Sequence, residues 1–198
     1  AIINPKRRDN TYPFRGLAGV GVVFKVIQAI SMKLNLDEKE YLKYLDIVCI
    51  GTISDIVPLV DENRVIAKLG LMLVKCTKNV GLKELIEESG YKTIDSGMVS
   101  FGIAPRINAC GRMGKQEEAL ELFLTDNPEK AKTITKRLNE YNIQRQETEK
   151  QIFEQAISEL EKENLEEKSS IVLAGENWHH GVIGIVASRI TEKFFKPT

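Results

Sequence analysis

The chain has 198 residues and is 42% hydrophobic, enough apolar material for a packed core, which excludes a disordered tail. Lys+Arg and Asp+Glu both number 28, so the formal net charge is zero. That argues against a large basic surface but leaves room for a few arginines in a cleft.

Three cysteines, Cys49, Cys76 and Cys110, are odd in number and show no CxxC spacing. They argue against zinc and for a reducing, cytoplasmic setting. No apolar run reaches the roughly 18 residues of a membrane span, and no secretory signal opens the sequence. Ala1 at one end and Lys196-Pro197-Thr198 at the other read as cuts from a longer protein.

In chain order, Ala1–Ile3 resembles the end of a strand, and Asn4–Asp9 a polar turn. A helix is expected over 16–33, with Ala18, Gly19 and Gly21 allowing close approach of a neighbour. Asp37 suits the N-cap of a second helix, carried by Tyr41, Tyr44, Leu45, Val48, Cys49 and Thr52 at helical spacing. A third helix runs through Val65, Leu69, Met72, Leu73 and Cys76. Short helices follow near Leu82–Glu88 and Glu117–Leu124, with a Gly/Pro-punctuated loop, Gly102–Gly114, between them. Asn127–Lys168 reads as one long helix, capped by Asn127 and opened by Pro128. Ile134, Leu138 and Tyr141 make one apolar stripe, and Phe153, Ala156, Ile157 and Leu160 another. The polar middle, Asn142–Gln151, suggests a bridge between two packed bodies. Ile171–Ala174 then reads as a short buried strand, 175–181 as a loop, and Val182–Phe195 as a helix. That order suggests the start of an α/β domain.

Four segments can carry chemistry. Val48, Thr52 and Asp55 fall at i, i+4 and i+7, which sets Asp55 on the packed face near a helix C-terminus. A carboxylate there needs a cation, and a hard metal such as Mn²⁺ or Mg²⁺ would serve. A capping or salt-bridged Asp is the structural alternative. In Ala104–Gly114, Arg106 and Arg112 can fork onto phosphate oxygens while Asn108 fixes the loop, unless the arginines are simply solvated. In Trp178–Arg189, the start of a helix after Gly181 could hold an anion, and Ser188 and Arg189 could add donors. Trp178 could stack a base, although core packing suits it better. His179 and His180 are adjacent, so a shared metal is not expected. Lys6-Arg7-Arg8 beside Tyr12 and Phe14 suits a single-stranded backbone or a solvated turn.

Together these segments resemble the RecJ-type exonucleases of the DHH phosphoesterase superfamily. Asn4-Pro5-Lys6-Arg7, Tyr12-Pro13-Phe14 and Leu17–Gly21 resemble the stretch after that family's DHH triplet. Gly51–Leu59 resembles its fourth motif, Pro105–Met113 a signature beside the active site, and Trp178–Arg189 the opening of the DHH-associated domain. The resemblance implies an α/β parent fold, of which this mainly α-helical piece holds three parts. They are the C-terminal part of a catalytic domain (1–125), a long connecting helix (126–168) and the beginning of a substrate-binding domain (169–198). It implies 5′-to-3′ hydrolysis of single-stranded DNA in repair and recombination, by two Mn²⁺ or Mg²⁺ ions. Asp55 would hold metal, and Arg106, Asn108, Arg112, Ser188 and Arg189 would bind nucleic acid or phosphate. Lys6, Arg7, Trp178, His179 and His180 are further candidates. The family's upstream acidic motifs and DHH triplet are not in the sequence, so the piece alone is expected to be inactive. Two other readings stand beside this one: a related phosphoesterase for short oligonucleotides, and a non-catalytic scaffold in a replication complex.

Overall fold

The computed structural model describes residues 2–162, 164–165 and 168–198. The described residues form helices and no strands. The helices are α1 (Gly19–Lys33), α2 (Lys39–Leu42), α3 (Leu45–Ser54), α4 (Asp61–Val74), α5 (Val80–Ser89), α6 (Ala104–Arg112), α7 (Gln116–Leu124), α8 (Pro128–Leu160) and α9 (His180–Phe194). A π-helical segment, Met98–Ile103, runs directly into α6. The chain divides into two compact units: Ala1–Pro105 with Glu121–Thr135, and Arg106–Leu120 with Lys136–Thr198.

The core of the first unit gathers Leu17, Phe24, Tyr41, Leu45, Val48 and Ile66. Helix α3 lies at its centre, between α1 and α4. Of the small residues expected to allow close approach, Ala18 and Gly21 are buried, and a Cβ on Gly21 would stand 3.2 Å from Leu17; the tightest approaches are made at other glycines. Gly19 of α1 faces open space, whereas a Cβ on Gly70 of α4 would stand 2.2 Å from the Cβ of Cys49 and 2.5 Å from the Leu45 carbonyl. A Cβ on Gly51 would stand 2.8 Å from Val20. Helix α4 is where the pattern of Val65, Leu69 and Met72 places it, but those three side chains face outward. Its buried face is Asn63, Ile66, Ala67, Gly70 and Val74, because the small residues let α3 approach. The single helix expected through Tyr41–Thr52 is broken between Leu42 and Leu45. The N-cap of α2 is Glu38 rather than Asp37, although Asp37 Oδ1 accepts the Lys39 N–H at 2.9 Å from one residue upstream.

Gly102–Gly114 is the largest departure from expectation. Most of it is helical: the π-helical segment ends in it and α6 fills the rest. Pro105 is the second residue of α6, directly after the π-helical segment that contains Gly102. Glycine and proline there lie within helix rather than loop.

Helix α8 is continuous over 33 residues, about 50 Å at 1.5 Å per residue. Asn127 caps it, its Oδ1 accepting the Lys130 N–H at 3.1 Å. It ends at Leu160 rather than Lys168. Glu163, Glu166 and Glu167, which the expected helix included, lie outside the described residues. The second unit's core joins Ile152, Ala156 and Leu160 of α8 to Ile171 and to Val182, Val186 and Ile190 of α9.

Residues 171–174 do not form the expected strand. Ile171 is buried and Val172 is exposed, so the alternation is there. Among the described residues, the segment's backbone bond to a distant part of the chain runs from Ile171 N–H to the Pro197 carbonyl at 2.7 Å, and a single bond does not make a ladder. The strand end expected at Ala1–Ile3 fares likewise: Ala1 lies outside the described residues, and Ile2 and Ile3 are unpaired with any strand.

Candidate functional site

Asp55 is the C-cap residue of α3. The expected packed position is not what the fold gives it. Leu45, Val48, Cys49, Ile50, Thr52 and Ile53 are buried, but the helix stops at Ser54 and the Asp55 side chain is exposed. Thr52 spends its hydroxyl on the Val48 carbonyl at 2.8 Å. Ile56, the next residue, sits in the left-handed region at φ 54° with its side chain 89% exposed. That conformation costs an L-residue roughly 1–2 kcal/mol and is least tolerated by β-branched side chains. Further on, the Pro58 carbonyl is held at 3.0 Å by Asn63 Nδ2, which also donates to Gly16 at 2.7 Å. Asn63 is fully buried.

An exposed carboxylate at the negative end of a helix is a ready ligand for a hard cation. Asp55 therefore fits one position in a divalent metal site. Among the described residues no group of three or more His, Cys, Asp or Glu could hold a metal ion, so any further ligands are not gathered here.

Arg106, Arg112 and Arg189 lie in the second unit. Arg106 is half-buried and donates from Nε to Asn139 Oδ1 of α8 at 3.0 Å. Asn108 and Arg112, four residues apart, share an exposed face of α6. Arg112 Nη1 donates to the Gly181 carbonyl at 3.2 Å. Gly181 is required there: a Cβ would stand 2.3 Å from the Arg112 carbonyl oxygen. The structure thus brings the arginine segment against the start of α9.

That start is earlier than expected. His179 is the N-cap, its Nδ1 accepting the Gly181 N–H at 3.1 Å, and the rings of His179 and His180 stack 5.0 Å apart. Trp178 packs on the core and donates to Gln155 Oε1 at 2.8 Å, so its indole is a packing group. Ser188 and Arg189 fall in the third turn of α9, beyond the N-terminal field. The Ser188 hydroxyl donates to Gly184 at 3.0 Å. Arg189 donates to Glu149 Oε1 at 2.9 Å and lies over the Phe153 ring at 4.2 Å. Glu149 also takes Arg145 Nη1 at 2.5 Å. Sequence reasoning passed over Glu149, although Arg145 and Glu149 stand at i and i+4 on α8.

In the first unit, Lys6 and Arg7 lie on an exposed turn whose backbone is fixed by Asn4 and Asn10. Arg7 forks onto Asp9 at 2.8 and 2.5 Å. Tyr12 donates to both Glu62 oxygens at 2.7 and 2.9 Å, and burial together with that carboxylate pushes its hydroxyl up to about 12. Neither arrangement leaves Arg7 or Tyr12 idle.

No known family profile matches the chain. A curated relative does, along the whole of this chain: the single-stranded-DNA-specific exonuclease RecJ of Bacillus subtilis, 40% identical over 199 residues. The chain is a RecJ homologue. It spans 24% of that RecJ. RecJ of Thermus thermophilus, solved with Mg²⁺, superposes at a TM-score of 0.85 with 36% identity. That match covers 94% of this chain and 29% of the RecJ structure. The same RecJ solved with Mn²⁺ gives 0.83 and 37%, covering 94% of this chain and 28% of that one. Among the described residues no helix is long and apolar enough to cross a membrane.

Proposed function

We propose that this chain is part of a metal-dependent exonuclease that hydrolyses single-stranded DNA from the 5′ end, within a longer protein of α/β fold. The observation that carries the reading is 40% identity to a single-stranded-DNA-specific RecJ along the entire chain. RecJ structures holding Mg²⁺ or Mn²⁺ support a divalent metal, and the sequence resemblance supplies the direction of digestion. Asp55 would give one oxygen to the metal site, which its exposed carboxylate at the end of α3 suits. Two metal ions would activate water and stabilise the leaving oxygen when bound. Asn108 and Arg112, on the exposed face of α6, would meet phosphates, with Arg106 anchored on Asn139 behind them. Ser188 and Arg189 would contribute only by leaving Gly184 and Glu149.

The test uses the full-length protein that carries this segment, Mn²⁺, and single-stranded DNA labelled at its 3′ end, beside duplex DNA. Stepwise shortening of the single strand, lost in Asp55→Ala, is the expected result. Retained strand binding without degradation would replace the reading with a scaffold. Digestion of dinucleotides alone would replace it with a short-oligonucleotide phosphoesterase.

A further inference from the structure

We propose that Ile56 is a positioning residue for Asp55, holding its carboxylate in place through a strained backbone; this rests on the metal-ligand role proposed for Asp55. Several non-glycine residues have positive φ, among them Asn35 and Asn177, a residue type that tolerates it. Ile56 is the β-branched one of the described set, the kind for which this conformation is a genuine outlier. Its own packing does not hold it there, since the side chain is 89% exposed. The position just past a helix C-cap is one that glycine ordinarily fills.

The constraint comes from both sides. Upstream, α3 is closed by Asp55 N–H on the Gly51 carbonyl at 3.1 Å and Ile56 N–H on the Ile53 carbonyl at 3.2 Å. Downstream, Pro58 confines Val57 to extended backbone, and fully buried Asn63 ties the Pro58 carbonyl to the same anchor as Gly16. Between a fixed helix end and a fixed proline, the chain has Ile56 and Val57 in which to turn. Glycine would make the same turn with a broad choice of φ and ψ. Isoleucine makes it in a narrow well, and the narrowness passes directly to the backbone of Asp55. Strain at a residue adjoining a ligand is the pattern of a pre-organised site.

The experiment compares Ile56→Gly, Ile56→Ala, Ile56→Val and Asp55→Ala in the full-length protein. It reads Mn²⁺ affinity from the electron paramagnetic resonance of free Mn²⁺, and melting in EDTA. Ile56→Gly is expected to melt at the same or a higher temperature without metal, yet to weaken Mn²⁺ binding on the order of tenfold. Ile56→Val should match the parent, and Ile56→Ala should fall between. A glycine variant that melts lower overturns the proposal, because the strain is then absent. Equal losses in Ala and Gly overturn it in favour of the side chain itself, and unchanged affinity in Gly overturns it outright. If Asp55→Ala keeps full Mn²⁺ affinity, the metal reading of Asp55 fails first. If Asp55→Ala loses affinity and Ile56→Gly does not, the failure is confined to Ile56.

Discussion

Cys49 and Cys110 show how a residue's environment sets its chemistry. Both are buried, and Cys76 is exposed. Cys49 touches the Ala67 carbonyl at 3.5 Å. Burial first, and then the Asp46 charge, pushes its thiol up to about 12; burial and then Glu118 push Cys110 to about 11. The folded state therefore holds both protons more tightly than the unfolded chain, whose thiols titrate near 9.0. The stability this brings is whole below pH 9 and is lost as the pH rises through 11 and 12. Urea midpoints should be flat from about pH 7 to about 8.5 and fall above about 9, less steeply in Cys110→Ala. At about pH 8 a thiol reagent should label Cys76 alone until the chain unfolds. The apolar packing of Cys49 was legible in the sequence, but the exposure of Cys76 and the setting of Asp55 were not. A spacing argument assumes that the helix continues, and this one ends a residue before Asp55 with an isoleucine in a conformation that no pattern assigns to isoleucine.

Among the elements, the ones read correctly are those whose signal is local. Helix α8 announces itself by Asn127, Pro128 and two apolar stripes, and α5 and α7 by short amphipathic runs. Helix α6 was missed because Pro105 and Gly102, read without context, punctuate. In the structure Gly102 lies in the π-helical segment and Pro105 in the first turn of α6, which continues it. The meeting of α6 with α9 was equally hidden, since it joins residues 69 positions apart. It rests on one glycine, which yields a sharp expectation. In Gly181→Ala the new methyl would meet the Arg112 carbonyl, and backbone cannot swing away as a flexible side chain would. The Arg112–Gly181 bond should be lost and stability should fall by about 1–3 kcal/mol in urea titration. The exposed control Gly184→Ala, with nothing within 4 Å, should be neutral or slightly stabilising. Equal behaviour of the two variants would mean that α9 does not depend on this contact.

On the scale of the whole chain, charge and ligand count point the same way. With 28 basic and 28 acidic residues the surface offers no net field to draw in a polyanion. Several candidate phosphate donors are already engaged: Arg7 with Asp9, Arg106 with Asn139 and Arg189 with Glu149. Among the described residues no cluster of three or more metal-ligating side chains exists, around Asp55 or elsewhere. A lone carboxylate binds divalent ions far more weakly than a site that gathers several oxygen ligands. Two-metal hydrolysis needs both ions clamped a few ångströms apart. The 198-residue chain, purified by itself, is thus expected to leave 3′-labelled single-stranded DNA intact in Mn²⁺ and to show no tight Mn²⁺ site by calorimetry. The full-length protein under the same conditions should digest the strand and bind the metal tightly. Digestion by the isolated chain, abolished by Asp55→Ala, would mean that its own side chains rearrange to complete a metal site around Asp55, and the exposed carboxylate at the end of α3 would be the group around which they gather.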